Sequence, residues 1–112
     1  MIDEILHLSE AEAAAVVRER FPSEGRTLIL YKFKDLERIQ RWRTRHDLGA
    51  ISEVFVVPDD DWTEMKNVYV ITGHEGPVVI FFTGPTDRGS FTGFLWRELQ
   101  NLGSAVPVWV VA

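Results

Sequence analysis

Leu28, Ile29, Leu30, Tyr31 and Phe33 stand almost shoulder to shoulder in one strand-length run, and Ile51 to Val57 repeats the pattern. Successive side chains of a strand point to opposite faces. Each run therefore predicts a strand that is apolar on both faces, the first over Thr27–Phe33 and the second over Ile51–Val57. Such strands need cover above and below, which favours helices flanking a central sheet. A ferredoxin-like open-faced sandwich would leave too many of these side chains in water. The expected class is α/β, in three layers.

Around these strands the chain supplies helix signals. Ser9-Glu10-Ala11-Glu12 is a capping box. Ala13, Ala14 and Ala15 then favour helix, and Pro22 marks its end. Asp35 opens a second helix that runs to about Asp47, with Gly49 as its C′ residue. Asn67–Ile71 and Val78–Phe82 read as strands joined through a hairpin loop, Thr72 to Pro77. Ser90 caps a helix over Phe91–Leu102 that Gly103 ends, and Val106–Val111 is the last strand. The expected order is α-β-α-β-β-β-α-β, a single α/β domain over residues 1–112 (α+β being the alternative class). Its five-stranded sheet is expected to be mixed, the pair within Asn67–Phe82 supplying the antiparallel element. A length of 112 residues suits one domain, and 46% hydrophobic residues suffice for a core without staples.

Several classes are excluded. There is no cysteine, hence no disulfide framework and no thiolate metal site. No apolar run approaches the ~20 residues of a membrane span. The opening MIDEILHLSE lacks the positive and apolar regions of a signal peptide. The chain reads as cytoplasmic, with no membrane partner. His7, His46 and His74 fall in separate segments without zinc-ligand spacing, so no metal and no cofactor are expected. No catalytic set of nucleophile and base is recognisable, and enzyme activity is the minority expectation.

Charge is more informative. The net charge is −5, but it is unevenly spread. Residues 1–25 carry six acids and two bases, 26–45 two acids and seven bases, and 46–75 seven acids and one base. Arg38, Arg41 and Arg45 recur at helical spacing, with Lys34 before them. At roughly 100° per residue these four fall within about 60° of one another, a basic stripe. Leu36, Ile39 and Trp42 mark the opposite, apolar side. Three guanidiniums one turn apart suit carboxylates or phosphates, which arginine grips in a bidentate fork.

Arg43 and His46 fall on the apolar side of that helix, and Glu98 falls on the apolar side of the helix over Phe91–Leu102. Charges at core-facing positions call for partners, so Glu98 is expected to meet Arg43 or His46. Asp59, Asp60 and Asp61 beside Trp62 form an acidic patch with an aromatic anchor, suited to steering and holding a protein. Their contiguity does not match the alternating ligands of a calcium loop. The Gly84–Ser90 segment joins a strand to a helix, where Arg88, Gly89 and Ser90 form a candidate anion site, although it lacks the P-loop lysine.

Two functions follow as expectations. The first is a small protein-binding module, an inhibitor, immunity-like protein, antitoxin or assembly adaptor, working through Arg38, Arg41, Arg45, Asp59, Asp60, Asp61 and Trp62. Trp42 and Trp96 are further candidate anchors, whereas Trp109 is expected in the core. The alternative is a binder of phosphate-bearing ligands, nucleic acid along the arginine stripe or a nucleotide at Gly84–Ser90. A homo-oligomer fits either one. A strongly basic chain would fit general nucleic-acid binding better than this one does.

Overall fold

The computed structural model describes residues 5–57, 65–82 and 88–111, with side chains of the final segment from Phe91 onward. Among these residues five strands alternate with four α-helices. These are β1 (Leu6–Leu8), α1 (Glu10–Arg20), β2 (Thr27–Lys32), α2 (Leu36–Arg45), β3 (Ser52–Val57), α3 (Met65–Thr72), β4 (Val78–Phe81), α4 (Arg88–Asn101) and β5 (Val108–Val111). Short 3-10 turns at Phe33–Asp35 and Gly49–Ile51 flank α2. The strands lie side by side in the order β1-β5-β4-β2-β3.

The α/β class and the count of five strands agree with the sequence, although one of the five is a different segment, and helices lie on both faces. Ile29, Tyr31, Val79 and Phe81 pack beneath α1 and α2, against Ala14, Val17, Ile39 and Trp42. Leu28, Leu30, Val78 and Ile80 pack on the other face, beneath Val68 and Ile71 of α3 and Leu95 and Leu99 of α4. Every residue of β2, β4 and β5 is buried. Trp109 is in the core, as expected.

The sheet itself differs from expectation. Among the described residues all four strand pairings are parallel, so no antiparallel element makes the sheet mixed there. Asn67–Ile71 is not a hairpin strand but the body of α3, burying Asn67, Val68 and Ile71 on one side. A short apolar run rich in β-branched residues satisfies either period. The topology decides it here: β3 and β4 run parallel on either side of β2, and such a connection needs a crossover. The strand β1 was not anticipated because it is only three residues long. Its addition makes the order β-α-β-α-β-α-β-α-β. Phe33, read as part of the first strand, instead follows it and is exposed, whereas Lys32 is buried.

Direction explains which helix lies where. The crossovers β1→β2 and β2→β3 advance across the sheet one way, and α1 and α2 share a face. The crossovers β3→β4 and β4→β5 go the other way, and α3 and α4 share the opposite face. One handedness for all four connections requires this arrangement. The reversal falls between neighbours β2 and β4, which makes their carboxyl ends the topological switch point, where open α/β sheets take ligands.

At the start of α1 the capping box forms as read. Glu12 N–H donates to the Ser9 hydroxyl at 3.1 Å and Ser9 N–H to Glu12 Oε1 at 3.0 Å. The Ser9 amide first, then its hydroxyl, hold the Glu12 carboxyl below the usual carboxylate value.

One buried polar atom stands out among the described residues: Thr27 Oγ1 has no hydrogen-bond partner. Thr27→Val keeps the branched shape and removes an unsatisfied hydroxyl. It should raise stability by about 1 kcal/mol, read as a higher urea midpoint. A lower midpoint would mean that the hydroxyl is satisfied in solution.

Candidate functional site

The arginine stripe is real, but its three members do different things. α2 lies against α1, and Glu10 in the first turn of α1 is the joint. The Trp42 indole N–H donates to the Glu10 carbonyl at 2.8 Å. Arg38 donates to Glu10 Oε2 from Nη2 at 3.2 Å and from Nε at 3.4 Å. The Arg38 guanidinium also lies 5.0 Å over the Phe81 ring, and Trp42 meets the same ring edge-on at 4.8 Å. Arg38 is therefore part of the α1–α2 joint, its side chain only 23% exposed. Arg41 and Arg45 are exposed, and neither has a partner among the described residues.

These residues enclose a cleft of about 150 Å³ formed by Glu10, Arg38, Arg41, Trp42 and Arg45. A second depression on the outer side of α2 runs past Gln40, Arg41, Thr44 and Arg45. Arg41 and Arg45 thus border both hollows. Trp42 is almost fully buried, which removes it as a surface anchor; Trp96 is partly exposed, as expected.

The expected meeting of Glu98 with Arg43 or His46 does not occur, because α2 and α4 cover opposite faces of the sheet. Arg43 instead turns toward the start of β3. It donates from Nε to Ser52 Oγ at 3.0 Å, and from Nη2 to the carbonyls of Gly49 at 3.1 Å and Ser52 at 3.2 Å. His46 packs edge-on to Trp42, and its carbonyl accepts from Arg18 Nη1 at 2.9 Å.

The C-terminus of α2 also differs from the reading. Leu48 N–H donates to the Arg43 carbonyl and Asp47 N–H to that of Thr44, at 2.8 and 3.3 Å. Asp47 sits at φ 55. This is a Schellman end with aspartate in the left-handed position, so Asp47, not Gly49, is C′. In α4 the same motif falls on Gly103 as expected, with φ 67 and bonds from Gly103 and Ser104 to Gln100 and Leu99.

Asp59, Asp60, Asp61 and Trp62 lie outside the described residues, as do positions 83–87 of the expected anion loop. Arg88, Gly89 and Ser90 belong to the first turn of α4, so the helix starts earlier than the expected Ser90 cap. The parallel topology places that turn beyond the carboxyl end of β4, at the switch point. Sequence reasoning missed this convergence. Arg38 reaches over Phe81, the last residue of β4, so the stripe and the start of α4 lie toward the same end of the sheet.

At the opposite end, Glu24, His74, Glu75 and Pro107 border an open hollow of about 360 Å³, and the His74 ring bonds the Arg26 carbonyl at 2.7 Å. Among the described residues no three histidine, aspartate or glutamate side chains gather to hold a metal, and no helix is long and apolar enough to cross a membrane. Set beside known proteins, the chain matches no family model, no curated protein and no solved structure.

The Asp47 assignment is testable. Asp47→Gly removes a Cβ from a left-handed position and should raise stability by up to about 1 kcal/mol. Gly49→Ala, in open space, should leave the thermal midpoint nearly unchanged. A destabilised Asp47→Gly variant would contradict the Schellman reading.

Proposed function

We propose that this chain is a small protein-binding module, of the inhibitor, immunity-like, antitoxin or adaptor type, that holds an acidic partner surface on the arginine edge of α2. The observation that carries this reading is the division of labour along the stripe. Arg38 already grips one carboxylate, that of Glu10, while Arg41 and Arg45 stand exposed beside it without partners among the described residues. A carboxylate from another protein finds there the chemistry that Glu10 finds at Arg38. Glu10 also lowers the positive potential of the cleft, which disfavours a phosphate dianion relative to a single carboxylate.

Exposed and unpartnered, Arg41 and Arg45 can be reversed in charge without harm to the fold. Arg41→Glu/Arg45→Glu should change stability by no more than about 0.5 kcal/mol. Used as bait in the native host, it should lose the protein that the unaltered chain captures. A partner retained equally by both baits would place the contact elsewhere.

A second reading, a phosphate-bearing ligand, draws on the switch point at the carboxyl ends of β2 and β4, where Arg38 lies over Phe81, the last residue of β4. Phosphate contacts weaken steeply with salt. Titration with a nucleoside triphosphate and with a short single-stranded oligonucleotide should then move the amide resonances of Phe81, Phe82 and Arg38 in a salt-sensitive way. Unmoved resonances at low salt would remove this reading.

A further inference from the structure

The two edges of the sheet are unlike. The β1 edge is three residues long and presents little backbone. The β3 edge runs for six residues, Ser-Glu-Val-Phe-Val-Val, in unbroken register with β2 and without a bulge. It carries no proline and no lysine, the devices that usually protect an open edge. Val54, Phe55 and Val56 are 42%, 38% and 41% exposed, while β2, beside them, is wholly buried. Their register partners show which way they point. Val54 and Val56 align with Ile29 and Tyr31 on the α1–α2 face, and Phe55 aligns with Leu30 on the α3–α4 face. The strand is apolar on both faces and open along its side.

We propose that two copies of this chain pair along β3, antiparallel about a two-fold axis at Phe55, so that the two sheets become one of ten strands. Three observations select a second copy over another occupant. A lone added strand would satisfy the backbone edge but leave its own two faces bare, whereas a second copy brings helices on both. The strand's single charge, Glu53, is already met by Arg26 at 3.0 Å, so an acidic or basic partner has nothing to pair with. The sequence is also self-complementary. With the axis at Phe55, Val54 faces Val56 of the other copy, Phe55 faces its own counterpart, and Glu53 faces Val57 instead of another Glu53. Apolar and aromatic cross-strand pairs are favourable, and like charges directly opposite are not. Size sets its class: the smallest cross-section of a body spanning 34 × 31 × 20 Å is roughly 600 Å², so an edge-to-edge contact stays below the ~800 Å² per partner of a standard interface and relies on its backbone bonds and apolar pairs.

The test is the oligomeric state of the whole chain, by sedimentation equilibrium. The unaltered protein should be a dimer. Val54→Lys/Val56→Lys sets lysine opposite lysine across the axis and should weaken association by at least about a hundredfold, with helical content retained by circular dichroism. The chain has no cysteine, so Phe55→Cys introduces a single thiol. Opposed antiparallel residues lie about 4.5–5.5 Å apart at Cα, within disulfide reach. Mild oxidation should link Phe55→Cys into dimers and leave Arg41→Cys unlinked, a result that decides the matter even if the lysine variant fails to fold. Arg41→Glu/Arg45→Glu should dimerise like the unaltered chain, which separates this inference from the arginine-edge reading. A chain that stays monomeric up to its solubility limit would overturn the proposal. So would a dimer that survives the two lysines and leaves Cys at position 55 unlinked.

Discussion

Thr27 to Lys32 of β2 are buried without exception, and the rest of the architecture follows from keeping them so. A strand with no wet side must be paired along both edges and covered on both faces. β3 and β4 pair with it in parallel, and parallel neighbours cannot be joined by tight turns. Each connection therefore carries a helix. Because the crossovers share one hand, the direction of each across the sheet decides which face its helix covers. The chain leaves β2 in one direction for β3 and leaves β4 in the other for β5, so the helices divide two and two. The same rule puts the topological switch point between β2 and β4, and it makes β3 an edge despite its apolar composition.

Much of this is legible in the residues, and the failures have physical causes. The strand at 27–32 is legible because burial on both faces leaves a continuous apolar run, whereas the similar run at 52–57 forms an edge strand whose middle residues stay exposed. The capping box at Ser9 and the end at Gly103 were visible because each depends on a local backbone need. Asn67–Ile71 misled because five residues are too few to separate a period of two from one of 3.6, and only the parallel pairing of distant strands makes that segment a helix. Asp47 misled for a different reason: glycine is the usual left-handed C′ residue, but aspartate tolerates the conformation, and the bond pattern falls two residues before Gly49.

The arginine stripe shows the same boundary between local and distant information. Helical spacing was enough to align Arg38, Arg41 and Arg45 on one side of α2. It could not reveal Glu10, which comes from another helix and changes the role of Arg38 from ligand-seeking to structural. Nor could it reveal that α4 lies beyond the sheet from α2, which separates Glu98 from Arg43. Each error concerns what a face meets, not which residues form it.

The two proposed surfaces are geometrically compatible. The cleft at Glu10 and Arg38 lies where α2 meets α1, whereas Arg43 and the start of β3 lie on the opposite flank of the same helix. Antiparallel pairing about an axis perpendicular to the sheet keeps the α1–α2 layers of both copies on one side. The two arginine edges then face the same way, and neither is covered by the pairing of β3. An acidic partner with two matching sites would meet both at once, and the second contact would form at the high effective concentration set by the first. An arginine edge with two guanidiniums per copy that are unpartnered among the described residues, Arg41 and Arg45, gains in this way a grip that one copy alone does not supply.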